Sequence, residues 1–113
     1  MHELSVTQNI IDIILAKSQE MRVNKINQIN LVIGDLSGFV PDCIKFYFDS
    51  LSKGTLAEGA VLNFQLVPSR LQCRECSTIF SPQDVDWTCP ECHSMRLEII
   101  GGREFYIESM EAE

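Results

Sequence analysis

The chain has very little with which to carry out acid–base or phosphate chemistry. Its 113 residues include two histidines, one of them at residue 2. It lacks a glycine-rich phosphate loop ending in lysine, a nucleophile elbow and an HExxH pair. A protein that is not an enzyme is therefore expected. No apolar run approaches the roughly 18 residues that span a bilayer. The start Met1-His2-Glu3 has neither a basic region nor a small-residue cleavage site. No membrane span and no signal peptide are expected, and the compartment expected is the cytoplasm. Cysteines in an unexported chain favour metal ligation over disulfides. Positive charge is scarce as well, with nine Lys and Arg against sixteen Asp and Glu and a net charge of −7. That balance disfavours nucleic acid, where phosphate contacts supply most of the affinity.

What is present begins with cysteine. Cys73-Arg74-Glu75-Cys76 and Cys89-Pro90-Glu91-Cys92 are two CxxC knuckles separated by twelve residues. Four thiolates delivered as two tight pairs suit tetrahedral Zn²⁺ and leave no open coordination position. Such a site supports folding, not turnover. Its two further negative charges deepen the acidity of the chain. A rubredoxin-like iron centre and reactive thiols are the competing readings of the same four residues. Cys43, the fifth cysteine, reads as a small buried hydrophobe.

Ser5-Val6-Thr7-Gln8 fits a capping box, with Ser5 as N-cap and Gln8 reaching back. Behind it Ile10, Ile11, Ile14 and Leu15 recur at helical spacing, predicting a helix from about Val6 to Met21. Ile29, Leu31 and Ile33 alternate as a strand ended by Gly34, and Gly34-Asp35-Leu36-Ser37-Gly38 is a turn. Pro41 suits the first position of a second helix, where Asp42 complements the positive end of the dipole. Ile44, Phe48 and Leu51 are the apolar stripe of that helix, closed by Gly54. Leu62, Phe64 and Leu66 alternate as a half-buried strand, Leu97 to Ile100 is a short strand, and Phe105 to Met110 is the last. The fold expected is α+β: a small three-stranded sheet with two helices, carrying an inserted zinc-ribbon-like module with four cysteines. Residues 1–70 plus 98–113 are expected to form the first domain and 71–97 the inserted metal domain.

The extreme N-terminus carries its own chemistry. A terminal amine, the amide nitrogen of residue 2 and the His2 imidazole close two adjacent chelate rings around one metal. That planar nitrogen set suits Ni²⁺ or Cu²⁺ better than Zn²⁺ or Mg²⁺. The bulk of His2 favours retention of Met1. The competing reading is an ordinary frayed terminus. His93, next to Cys92, has three options: to ligate in place of a cysteine, to hydrogen-bond a thiolate, or to face solvent. Asp42 offers a carboxylate to a nearby metal, though dipole compensation explains it equally well.

Taken together, Met1-His2-Glu3-Leu4-Ser5, the Gly34–Gly38 turn, Cys73-x-x-Cys76 and Cys89-Pro90-x-Cys92-His93 resemble the hydrogenase-maturation nickel chaperones. The family is HypA, also called HybF, and the likeness covers essentially the whole chain. It implies a nickel metallochaperone that binds Ni²⁺ through His2, supported by the Met1 amine and the backbone nitrogens of His2 and Glu3. It implies structural Zn²⁺ on Cys73, Cys76, Cys89 and Cys92. His93 matches the histidine that follows the last zinc cysteine, and Asp42 stands near a carboxylate that some members place at the position of Val40. Some members also carry a histidine shortly after the second cysteine. Here Ser77, Thr78 and Ile79 fill that stretch, so a zinc-ligand exchange using two histidines lacks one of them. The implied partners are a hydrogenase-maturation GTPase and the large subunit of a [NiFe] hydrogenase. Urease accessory proteins, and a monomeric or homodimeric state, stay open. The rival function is a zinc-ribbon protein-interaction or regulatory module without nickel transfer.

Overall fold

A computed structural model of the chain describes residues 3–82 and 87–113. The elements run α1 (Glu3–Met21), β1 (Ile26–Gly34), α2 (Pro41–Leu51), β2 (Val61–Val67), β3 (Arg70–Cys73), β4 (Ile79–Phe80), β5 (Leu97–Gly101) and β6 (Phe105–Ala112). They form two three-stranded sheets, ordered β2-β1-β6 and β4-β3-β5. The architecture is the expected α+β type. Two compact units emerge. One holds the N-terminal segment through Val32, Gly38–Gln65 and Tyr106–Glu113; the other holds Ile33–Ser37 and Leu66–Phe105.

In the first unit, α1 packs against α2. α1 buries Thr7, Ile10, Ile11, Ile14 and Ser18, one stripe at helical spacing. The two hydroxyls tolerate burial because each bonds a carbonyl one turn back: Thr7 Oγ1 donates to Glu3, and Ser18 Oγ donates to Ile14 at 2.8 Å. The cap expected at Ser5 is not present. The helix already includes Glu3, so Ser5 sits exposed within its first turn. Gln8, expected to reach back to that cap, instead donates forward to Asp12 at 2.9 Å across one helical turn. α1 ends in a Schellman turn, in which Val23 N–H bonds Ser18 O at 3.2 Å and Arg22 N–H bonds Gln19 O at 3.3 Å. That turn holds Arg22 at φ 56°, a left-handed position usually given to glycine.

β1 is the central strand and starts three residues before the alternation at Ile29 suggested. Ile26, Ile29, Leu31, Val32 and Ile33 are all buried. Its polar face is tied across the sheet by side chains. Asn63 Nδ2 on β2 donates to Gln28 Oε1 at 2.7 Å and to Asn30 Oδ1 at 2.9 Å, and Asn30 Nδ2 donates to Ser109 Oγ on β6 at 2.9 Å. A one-residue slip of either edge strand would break this polar ladder and turn its apolar face outward.

α2 begins with Pro41 at its first turn and no side-chain cap from Val40. Proline's missing N–H is one that would lack a partner there in any case. Ile44 and Phe48 are buried at i, i+4 spacing. Cys43 corrects an expectation: it is exposed, not a buried hydrophobe. One residue before Ile44, it points about 100° away from the core stripe on a 3.6-residue helix.

In the second unit, β3 pairs antiparallel with both neighbours, Leu71 opposite Phe80 on β4 and Cys73 opposite Leu97 on β5. Leu71 is fully buried between them. At the far end of this ribbon, two glycines allow a close backbone crossing. A Cβ on Gly34 would lie 2.0 Å from the Gly102 carbonyl oxygen. That approach lets Gly34 N–H bond Glu104 O at 2.7 Å and Leu36 N–H bond Gly102 O at 2.6 Å. The Gly34–Gly38 turn is thus used for contact as well as for reversal.

Candidate metal centre

The two knuckles fold as near copies of one another. Cys73 N–H bonds Thr78 O at 2.9 Å, and Cys89 N–H bonds Ser94 O at 2.9 Å. Ser77 N–H returns to Cys73 O at 3.0 Å, and His93 N–H returns to Cys89 O at 2.9 Å. Ser77 at φ 64° and His93 at φ 62° occupy the same left-handed position. In each knuckle an amide then points at the first sulfur: Glu75 N–H to Cys73 Sγ and Glu91 N–H to Cys89 Sγ, both 3.4 Å. Backbone N–H groups aimed at sulfur favour the thiolate, the form that binds metal.

The four sulfurs converge. All lie within 4.8 Å of one another, with Cys73–Cys92 and Cys76–Cys89 each 3.5 Å apart. With Zn–S near 2.3 Å, a regular tetrahedron has sulfur–sulfur edges of about 3.8 Å. The donor set therefore fits one tetrahedral ion. Cys73 and Cys89 are buried while Cys76 and Cys92 are exposed, so one residue of each knuckle anchors the site and the other faces outward.

The thiols do not ionise alike. The Thr78 hydroxyl, 3.1 Å from Cys76 Sγ, and then the Thr78 amide draw the Cys76 thiol down to about 6. The Cys76 and Glu75 amides also hold Cys73 below its ordinary value. Cys92 moves the other way. The Ser94 amide pulls it down but is outweighed by Cys73, burial and the remaining thiols, which push it up to about 12. Four sulfurs this close cannot all carry charge unless a cation stands among them. Thr78 was not singled out by sequence reasoning. Its signal was the hydroxyl residue two positions after the second cysteine of each knuckle, Thr78 and Ser94.

The other candidates stand apart. Among the described residues, the four cysteines are the converging group of metal-ligating side chains. His93 is exposed, with its imidazole in no hydrogen bond among the described residues, and Asp42 is exposed on the first turn of α2. Glu3 opens α1. Met1 and His2 lie outside the described residues.

Comparison with known proteins bears on the whole chain. The family model described as "Hydrogenase/urease nickel incorporation, metallochaperone, hypA" matches residues 1–112. A hydrogenase maturation factor HypA of Dehalococcoides mccartyi (strain ATCC BAA-2266 / KCTC 15142 / 195) is 43% identical over 113 residues, 100% of this chain and 95% of the relative. That of Caldanaerobacter subterraneus subsp. tengcongensis is 40% identical over 114 residues, covering 100% of both chains. The solution structure of the Ni metallochaperone HypA from Helicobacter pylori matches at 27% identity with a TM-score of 0.67, over 99% of this chain and 97% of that one. A second HypA solution structure matches at 27% identity with a TM-score of 0.73, over 100% of this chain and 97% of that one. Matched by the family model from residue 1 to 112 and by hydrogenase maturation factors at about 40% identity along its whole length, the chain belongs to the HypA family of nickel-incorporation metallochaperones for hydrogenase maturation.

Proposed function

We propose that this chain binds Ni²⁺ at its N-terminus and delivers it to the large subunit of a [NiFe] hydrogenase, working with a partner GTPase in the cytoplasm. The observation that carries this reading is the family match, which runs from residue 1 and so takes in His2. The nickel donors are the His2 imidazole, the Met1 amine and the backbone nitrogens of His2 and Glu3. His93 and Asp42 are the further candidates to complete the shell. The family description names urease beside hydrogenase, which supports urease accessory proteins as a second set of partners.

The chemistry divides the labour. Zn²⁺ on Cys73, Cys76, Cys89 and Cys92 is the resident structural ion of the module at 71–97, since a closed four-thiolate shell has no position for substrate. Nickel is cargo, held by the domain formed from 1–70 and 98–113. A planar set of nitrogens needs the imidazole neutral and the amide deprotonated, so protons compete with the metal. Donors can be lost one at a time as a recipient offers its own. That suits a carrier, and no residue is asked to catalyse a reaction. Calorimetric titration of the untagged, zinc-loaded protein with Ni²⁺ tests the reading. The wild type should bind one ion and His2→Ala should lose that binding with zinc content unchanged. Equal nickel affinity in both would refute it.

A further inference from the structure

The first unit carries a surface that the nickel reading does not use. β6 is an edge strand of its sheet, with β1 on one side and no strand on the other among the described residues. Its alternation of exposure slips at Glu108 and Ser109, two successive exposed residues. The slip turns both Ile107 and Met110 inward, three positions apart, where strict alternation would separate them. They meet Ile13, Lys17 and Met21 of α1 across an open groove of about 370 Å³. Ile13 is 58% exposed and Met21 56%, although both border the apolar stripe of the helix. An apolar groove left open beside an edge strand is a feature of binding surfaces more than of finished cores.

The charge around the groove selects its occupant. Glu20 adjoins Met21, Glu108 adjoins Ile107 and Glu111 adjoins Met110, and all three are exposed. None makes an ion pair or side-chain hydrogen bond among the described residues. Lys17 lines the groove and exposed Arg22 adjoins Met21, so two cations stand against the three carboxylates, which stay in excess. A second copy of this chain fits poorly. Contact between two β6 edges about a two-fold axis would bring Glu108 and Glu111 of both chains together.

We propose that the α1–β6 groove docks an amphipathic segment of a partner protein whose apolar side chains fill it and whose lysines or arginines meet Glu20, Glu108 and Glu111. The inference is independent of the nickel reading. The test uses two synthetic peptides with the same Leu/Ile pattern, one with lysine and one with glutamate at the intervening positions. Each is titrated into the zinc-loaded full chain and followed by NMR amide shifts. The lysine peptide should shift residues 13–21 and 107–111 and bind about tenfold tighter than the glutamate peptide, as three rim carboxylates allow. Ile13→Asp should abolish binding with circular dichroism unchanged, since that side chain is largely exposed. Glu108→Lys combined with Glu111→Lys should reverse the preference. Binding of neither peptide, equal binding of both, or shifts confined to other residues would overturn the proposal. So would a dimer in sedimentation that Ile13→Asp dissolves, because a second chain would then cover the groove.

Discussion

Replacing Gly34 with alanine puts one methyl group where the backbone leaves no room for it. The new Cβ would sit 2.0 Å from the Gly102 carbonyl oxygen, 2.2 Å from its carbon and 2.9 Å from Arg103 N. These are backbone atoms, so no side chain can swing aside. The two segments must separate by more than an ångström to reach van der Waals contact. That movement breaks the Gly34–Glu104 and Leu36–Gly102 hydrogen bonds, 2.7 and 2.6 Å long. At about 1 kcal/mol for each bond, plus about 1–2 kcal/mol of overpacking strain, Gly34→Ala should cost about 3–4 kcal/mol. Gly38 in the same turn is the control. Its φ of +85° is awkward for alanine, but nothing lies within 4 Å of an added Cβ. Gly38→Ala should therefore cost only the left-handed conformation, about 1–2 kcal/mol. Urea unfolding of the zinc-loaded variants measures both. A loss in Gly34→Ala no larger than in Gly38→Ala would show that the close crossing of Gly34 and Gly102 is not what holds this turn.

Three further outcomes follow from the geometry. Thr78→Val removes the hydroxyl beside Cys76 Sγ and should raise that thiol's pKa and weaken zinc binding about 10–100-fold in competition with a chelator; an unchanged affinity would refute the role given to Thr78. Stripping the metal should unfold the β3–β5 ribbon, since binding and folding of such sites are coupled. Trp87, the single tryptophan, reports on that unit, and fluorescence that ignores chelation would contradict a structural ion. Arg22→Gly relieves the left-handed residue at the end of α1 and should raise stability by about 1 kcal/mol in thermal unfolding. A loss of stability there would mean that the Arg22 side chain contributes more than its strained backbone costs.

The long elements were legible because periodicity reports burial directly. Ile10, Ile11 and Ile14, and Ile44 with Phe48, announced both helices and the faces they bury. Ile29 to Ile33 announced the central strand. Termini were less legible. A serine three residues before a glutamine matches a capping box wherever it falls, and the helix extended past it to Glu3. Cys43 was misjudged because composition favours buried cysteine, while its position one residue off the Ile44–Phe48 stripe placed it outside. β3 and β4, four and two residues long, carry no usable alternation, and β3 runs straight into the first knuckle at Cys73. The converse held for the metal centre. Cysteine spacing alone singled out the four sulfurs that the fold brings together, because two CxxC turns leave few other geometries for them. The hydroxyl that tunes Cys76 was hidden, since hydrogen-bonding threonines are too common to stand out. The nickel set proposed at Met1, His2 and Glu3 rests on donor chemistry and on the family resemblance, and Met1 and His2 lie outside the described residues.

The central claim is that nickel rides on the nitrogens of the N-terminus while the sulfurs hold a separate, resident ion. X-ray absorption at the nickel edge of the untagged protein, loaded with one Ni²⁺ beside its zinc, tests this most directly. The account predicts a shell of nitrogen and oxygen donors, including one imidazole and no sulfur, that is lost in His2→Ala. Sulfur scattering in the nickel shell, or an unaltered spectrum in that variant, would contradict it.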